Sequence, residues 1–236
     1  MTVEVEQKLN NELEEAIRAG VIYGHKRSRT NPRMKNYIVA NRNEIEILNP
    51  EETLQSLKKA IEFLEGLYRQ GGLILAVSVK PSAYEAIERL SQELGFPKVV
   101  NRWLGGTLTN FSVIKKRLEY YQNLQKLKEE GEFEKYTKKE QLLFERKIEK
   151  LSANFDGLIN LVRLPDCVFI VDPSEHKTAV KEAHRCKIPI VAIIDSDDNP
   201  DIIDYPIIAN DHSKSSIDWL VGKIIEKLKL VKPTVG

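Results

Sequence analysis

Apolar residues along this chain change their period several times, and each change marks an element. Val5, Leu9, Leu13, Ala16 and Ile17 recur at helical spacing ahead of Gly20, which predicts an amphipathic helix with a glycine C-cap. An irregular basic stretch follows, and then residues 37–48, YIVANRNEIEIL, read as two short extended runs around an Asn-rich turn, the pattern of a hairpin. Asn49 as N-cap, Pro50 in the first turn and Leu54, Leu57, Ile61, Leu64 and Leu67 predict a helix that stops before Gly71 and Gly72.

From Leu73 the alternation gives way to continuous apolar runs separated by helical patterns. LILAVSV (73–79), a short strand at 98–100, CVFIVD (167–172), IPIVAIID (188–195) and YPIIAN (205–210) read as buried strands. Between them, Ser82 and Glu85 suggest a capping box for a helix ending near Gly95, and further helices are expected around 178–185 and 215–230. Parallel strands need helical crossovers, so this order predicts an α/β fold built on a doubly wound parallel sheet covered on both faces.

Residues 112–155 break that rhythm. Ile114, Leu118, Tyr121 and Leu124 or Gln125, then Phe144, Ile148, Leu151 and Phe155, step by threes and fours, with Gly131 in the connection and TKKE (137–140) as a second capping box. The narrow stripe favours an inserted antiparallel coiled-coil hairpin over two helices lying flat on the body. The expected organisation is therefore one discontinuous α/β domain, 1–111 and 156–236, with the hairpin 112–155 inserted into it.

Composition narrows the function. The 236 residues, 42% of them hydrophobic, suffice for one sizeable core. Lys and Arg number 36 against 35 Asp and Glu, an even balance that conceals a local asymmetry. Only two cysteines occur, Cys167 and Cys186, without metal-ligand spacing, as suits a reducing compartment. The acidic N-terminus and the lack of a long apolar run imply neither a targeting peptide nor a membrane span, so a cytosolic chain is expected.

Four stretches invite chemistry. Residues 21–43 hold Lys26, Arg27, Arg29, Arg33, Lys35 and Arg42 with His25 and no acid, interleaved with Tyr23 and Tyr37, a composition suited to phosphates and unpaired bases. NRWLGGTLTNF (101–111) stands between a strand and a helix, where a phosphate-cradling loop would stand, yet it matches neither GxGxxG nor GxxxxGK[ST]. Its Gly105 and Gly106 permit a sharp turn, and Arg102 suits bidentate phosphate contact. Asp172 and Asp195 end strands, and Asp197, Asp198, Asp201, Asp204 and Asp211 crowd nearby, which admits magnesium chemistry but is better explained by capping, turns and pairing with the basic stretch. His25, His176, His184 and His212 show neither metal-ligand spacing nor a partnered nucleophile and read as structural.

NRWLGGTLTNF, together with AGVIYGH (19–25), NPRMKNYI (31–38), DPSEHKTAVKEA (172–183) and IPIVAIIDSDDNPDIIDYPIIAND (188–211), closely resembles bacterial small-ribosomal-subunit protein number two. The resemblance runs in order from about Leu9 to Leu230. It implies a flavodoxin-like sheet, a projecting coiled-coil hairpin, a place between head and body of the small subunit, contact with ribosomal RNA, and help in docking small-subunit protein number one. Ile22 and Tyr23, Thr30, and Val79, Lys80 and Pro81 depart from the residues common in that family. The expected role is that of a non-catalytic, RNA-binding constituent of the ribosome, with no cofactor, no metal, no membrane and no small-molecule substrate. RNA contact is expected of Lys26, Arg27, Arg29, Arg33, Lys35 and Arg102, followed by Lys115, Lys116 and Arg117 on the hairpin. The competing classes are a magnesium-dependent phosphatase or phosphotransferase using Asp172, Asp195 and Asp197, and a protein-interaction adaptor using the hairpin alone.

Overall fold

A computed structural model describes residues 11–231. Residues 11–18 are helical (α1) and Gly20 follows at φ +77°, while Val5 and Leu9 of the predicted stripe lie outside the described residues. Three short strands come next: β1 (Tyr23–Lys26), β2 (Ile38–Arg42) and β3 (Ile45–Leu48), in the order β1-β3-β2 and antiparallel. The hairpin of β2 and β3 turns through Asn43 and Glu44, both at positive φ. β1 was not expected, because Tyr23–Lys26 has no apolar alternation and is recruited by pairing with β3. The basic stretch is thus a strand followed by two 3-10 turns, Arg27–Arg29 and Pro32–Tyr37, rather than an irregular loop.

Helix α2 (Pro50–Arg69) begins as expected, with the Asn49 side chain accepting from the Glu51 amide. The main sheet contains β4 (Ile74–Val77), β5 (Lys98–Val99), β6 (Cys167–Val171), β7 (Ile190–Ile194) and β8 (Tyr205–Ile208), all parallel, in the order β5-β4-β6-β7-β8. Counted within this sheet the order is 2-1-3-4-5, that of a flavodoxin-like doubly wound fold. Alternate residues feed opposite faces. Ile74, Ala76, Phe169, Val191 and Ile207 face α1, α2, α3 (Tyr84–Leu94) and α7 (Lys214–Lys229); Leu75, Val77, Val168, Ile170 and Ala192 face α6 (Lys177–Cys186), Met34, Leu48 and the hairpin root. Both faces are covered, which is why these strands read as unbroken apolar runs.

The Ser82 and Glu85 capping box does not form. Pro81 opens a 3-10 turn over Pro81–Ala83, so Ser82 lies inside that turn and Ala83 becomes an N-cap without a side-chain bond. Gly95 does cap α3, at φ +74°.

Residues 112–155 fold largely into α4 (Phe111–Glu129) and α5 (Lys138–Phe155), joined through Gly131 at φ +72° and a short 3-10 turn. The Thr137 and Glu140 capping box is present in both directions. Tyr121 on α4 donates to Asp156 just past α5, the Lys147 ammonium lies 4.9 Å from the Tyr120 ring centre, and Phe133 stacks on Phe144 at 4.8 Å, a reversing order that makes the helices antiparallel. Ile114, Leu118, Tyr121 and Phe155 join the core beneath one face of the sheet, so the root of the pair is anchored in the body.

Candidate nucleic-acid interface

The basic stretch is held down by its polar backbone and by the acidic end of β7. The His25 amide donates to Ser196 Oγ (2.8 Å) and the Asn31 amide to the Ser196 carbonyl (2.9 Å). Met34, fully buried, plugs the 3-10 turn into the core. Gly24 permits the close approach: a Cβ there would stand 2.9 Å from Ser196 Oγ, 3.1 Å from Asp195 Oδ1 and 3.2 Å from the Glu46 carbonyl. Arg33 turns inward on the chain's own acids, 2.8 Å from Asp201 and donating to Asn199 Oδ1 at 3.0 Å.

Arg33 is the exception. Lys26, Arg27, Arg29, Lys35 and Arg42 are exposed and, among the described residues, have neither an ion-pair partner nor a side-chain hydrogen bond. Arg27 and Lys35 share one shallow hollow beside β2. Of the interleaved tyrosines only Tyr23 is open to solvent, whereas Tyr37 packs on the core. Lys115, Lys116 and Arg117 are exposed and unpaired on α4, and Arg102, equally free, lines a second cleft at the hairpin root that the basic stretch does not enter.

NRWLGGTLTNF holds an anion, and the anion is the protein's own. Glu182 on α6 reaches up into the loop: Oε1 accepts from Trp103 Nε1 (3.0 Å) and the Gly106 amide (2.8 Å), and Oε2 from the amides of Leu108 (3.0 Å) and Thr109 (3.1 Å) and from Thr109 Oγ1 (3.1 Å). Gly106, at φ +89°, makes the turn that converges these amides. Burial opposes ionisation of Glu182, but the hydrogen bonds from Trp103, Gly106, Thr109 and Leu108 outweigh it and hold its pKa below the ordinary value. A sequence signal for this residue existed, because Glu182 interrupts the apolar stripe Ala179, Ala183 and Cys186 of α6.

The crevice at the carboxyl ends of β4 and β6, where the strand order reverses and such folds hold ligands, is closed in the same manner. The Val79 amide donates to His176 Nε2 (2.9 Å), and His176 Nδ1 faces the Asp172 carbonyl at 2.7 Å, so the ring is neutral with its proton on Nδ1. Burial holds the His176 pKa below its usual value. Lys80 contacts Asp172 and His212, and lies 3.4 Å from Asp211. His25 Nδ1 faces Asp195 at 3.0 Å and Asp197 at 3.3 Å while its Nε2 meets His212, and the contact with Asp195 keeps its pKa raised. Three of the four histidines are therefore not isolated: His25, His176 and His212 gather at the carboxyl end of the sheet through pairings of high sequence separation, whereas His184 is exposed on α6. Asp172, Asp211 and His212 offer atoms within 4.8 Å of one another, a spacing a cation can use, and the Lys80 ammonium touches all three. Burial pushes Asp198 up to about 7 and Asp211 well above its usual range. Asp172, Asp195 and Asp197, the carboxylates a magnesium-dependent phosphatase would need, each face a lysine or histidine of the same chain.

Fold and site together define an α/β protein whose crevice at the reversal of strand order and whose diglycine loop are filled from within, and which carries a local cluster of exposed, unpaired cations on the stretch after β1. Comparison with known proteins agrees. The family model described as ribosomal protein S2 matches residues 16–229. The small ribosomal subunit protein uS2 of Dictyoglomus thermophilum is 41% identical over 216 residues, covering 92% of this chain and 88% of that protein. The uS2 of Thermus thermophilus is 38% identical over 214 residues, covering 91% and 84%. The chain belongs to the ribosomal protein S2 family.

Proposed function

We propose that the chain is a structural, non-catalytic component of the small ribosomal subunit in the cytoplasm, bound to ribosomal RNA through Lys26, Arg27, Arg29 and Lys35. The observation that carries this reading is the contrast within one stretch, in which Arg33 is neutralised by Asp201 while its neighbours stand exposed and unpaired. Such a cluster meets phosphates at low cost, because no internal ion pair has to break first. Arg102 and the α4 cations Lys115, Lys116 and Arg117 extend the contact from the hairpin root, and Arg33 acts mainly by tethering the stretch. The body spans 1–111 and 156–236 and the hairpin 112–155 projects from it, between head and body of the subunit. Neighbouring ribosomal proteins, including small-subunit protein number one, complete the partners. Among the described residues no helix is long and apolar enough to cross a membrane.

The test is sedimentation of a cell lysate through a magnesium-containing sucrose gradient, with and without mild ribonuclease and with rising salt. The chain is expected to travel with the small subunit and to be released by ribonuclease or salt. Migration at the top of an untreated gradient would overturn the reading, and partner binding that survives ribonuclease would favour the adaptor role instead.

A further inference from the structure

The amides of the diglycine loop converge on a buried carboxylate that comes from the body of the protein. Glu182 lies on α6, whose Ala179, Val180 and Ala183 are locked into the core beneath the sheet. Its five acceptor bonds all go to residues 103–109. On one side of that segment is Arg102, exposed and unpaired and adjacent to the bound Trp103. On the other is α4, which begins at Phe111, two residues after the bound Thr109, with no side-chain cap from Asn110 and no acid in its first turn. The α4 cations Lys115, Lys116 and Arg117 follow within two turns of that start. Glu182 is thus the polar tie from α6 to a segment whose apolar side chains Leu108, Ile114 and Leu118 are packed in the core and whose exposed face carries the second group of cations. The amides themselves are saturated, so the loop takes no phosphate of its own.

We propose that Glu182 is a positioning residue for RNA association: its carboxylate replaces the phosphate that a glycine-rich loop would otherwise hold, and in doing so it presets Arg102 and the root of α4. The inference rests on the RNA-binding reading above. It differs in naming a residue that touches no RNA. Loss of the carboxylate frees three backbone amides, the Trp103 indole N–H and the Thr109 hydroxyl together, so the loop loses one geometry and samples several.

The experiment uses the full chain carrying Trp219→Phe, so that Trp103 alone reports, and compares Glu182→Ala and Glu182→Gln with Arg102→Ala. Three quantities are read: Trp103 emission, amide exchange over residues 103–110, and salt-dependent association with small subunits stripped of this protein. Glu182→Ala is expected to redden Trp103 emission, speed exchange, and weaken association about tenfold with a salt slope shallower by roughly one, the signature of a lost phosphate contact. Acetate has the four heavy atoms that Glu182→Ala removes, so acetate, and not chloride at equal ionic strength, is expected to restore emission and association. Glu182→Gln keeps the shape and one acceptor and should fall between, which preserves the test if the alanine variant folds poorly. Faster exchange in either folded variant with association unchanged overturns the proposal while leaving the RNA reading intact, provided Arg102→Ala weakens association. If Arg102→Ala and neutralisation of Lys26, Arg27, Arg29 and Lys35 also leave association unchanged, the RNA reading falls with it.

Discussion

The diglycine loop and the basic stretch invite the same guess, a phosphate, and the structure treats them in opposite ways. Around residues 103–109 every converging donor has found Glu182, a partner inside the chain. Around residues 26–35 only Arg33 has found one, and the other cations have none among the described residues. What separates the two is geometry rather than composition. Backbone amides are short and fixed, and the diglycine turn brings them over α6, where an acid on the buried face can reach them. Long lysine and arginine side chains on a strand end and two 3-10 turns point into solvent; Asp195, Asp197 and Asp201 are taken by His25 and Arg33, and Glu46, which lines the hollow that Arg27 and Lys35 share, is buried and pairs with neither. A saturated anion site is part of the scaffold; an unsaturated cation cluster is available to a partner.

The comparison can be broken most sharply from the unsaturated side. Replacing Lys26, Arg27, Arg29 and Lys35 together with glutamine is expected to weaken association with stripped small subunits about a hundredfold at physiological salt and to flatten the salt slope by roughly three. The melting temperature should move by only a degree or two, because these side chains hold nothing internal in place. A large loss of thermal stability would show that the cluster belongs to the scaffold after all.

The saturated side should respond in stability. His176→Phe leaves the Val79 amide without its acceptor in the closed crevice and is expected to cost about 2 kcal/mol in denaturant unfolding. An unchanged midpoint would mean that the crevice admits water. Acidification probes the same two plugs without mutation. Both His176 and Glu182 have folded pKa values below their ordinary ones, so each stabilises the fold fully above its unfolded pKa and loses that contribution as pH falls. The His176 contribution should therefore be lost below about pH 6.5, where the raised pKa values of His25, Asp198 and Asp211 act in the opposite sense, and the Glu182 contribution below about 4.5, with Trp103 emission changing only in the second step. A Trp103 change in the first step would contradict the assignment of its partner.

The smallest effect is expected at the exception. Arg33→Ala removes an ion pair in which both side chains are more than half exposed, worth about 1 kcal/mol or less. It should reduce RNA association less than Lys26, Arg27, Arg29 or Lys35 replaced singly. An equal or larger reduction would put Arg33 among the phosphate contacts.

Much of this molecule is legible in its residues taken in order. Unbroken apolar runs separated by helical stripes specify a parallel sheet with both faces covered, because only that arrangement buries side chains pointing both ways. Asn49, Gly95 and the Thr137 and Glu140 pair mark helix ends by local bonds that the chain makes within a few residues. The density of cations between residues 26 and 42 is likewise a property of the sequence. Local rules failed where a neighbour intervened: Pro81 moved the start of α3 past Ser82, and β3 drew Tyr23–Lys26 into a strand that its own pattern does not announce. Whether a charge is free or spent was decided only by the tertiary structure. Glu182 and Gly106 are 76 residues apart, His176 and Val79 97 apart, and Arg33 and Asn199 166 apart, so no spacing rule reaches them. Periodicity records which way a side chain points along its own element; the partner it meets there depends on how the elements cross, and that crossing is settled by the packing of the whole sheet.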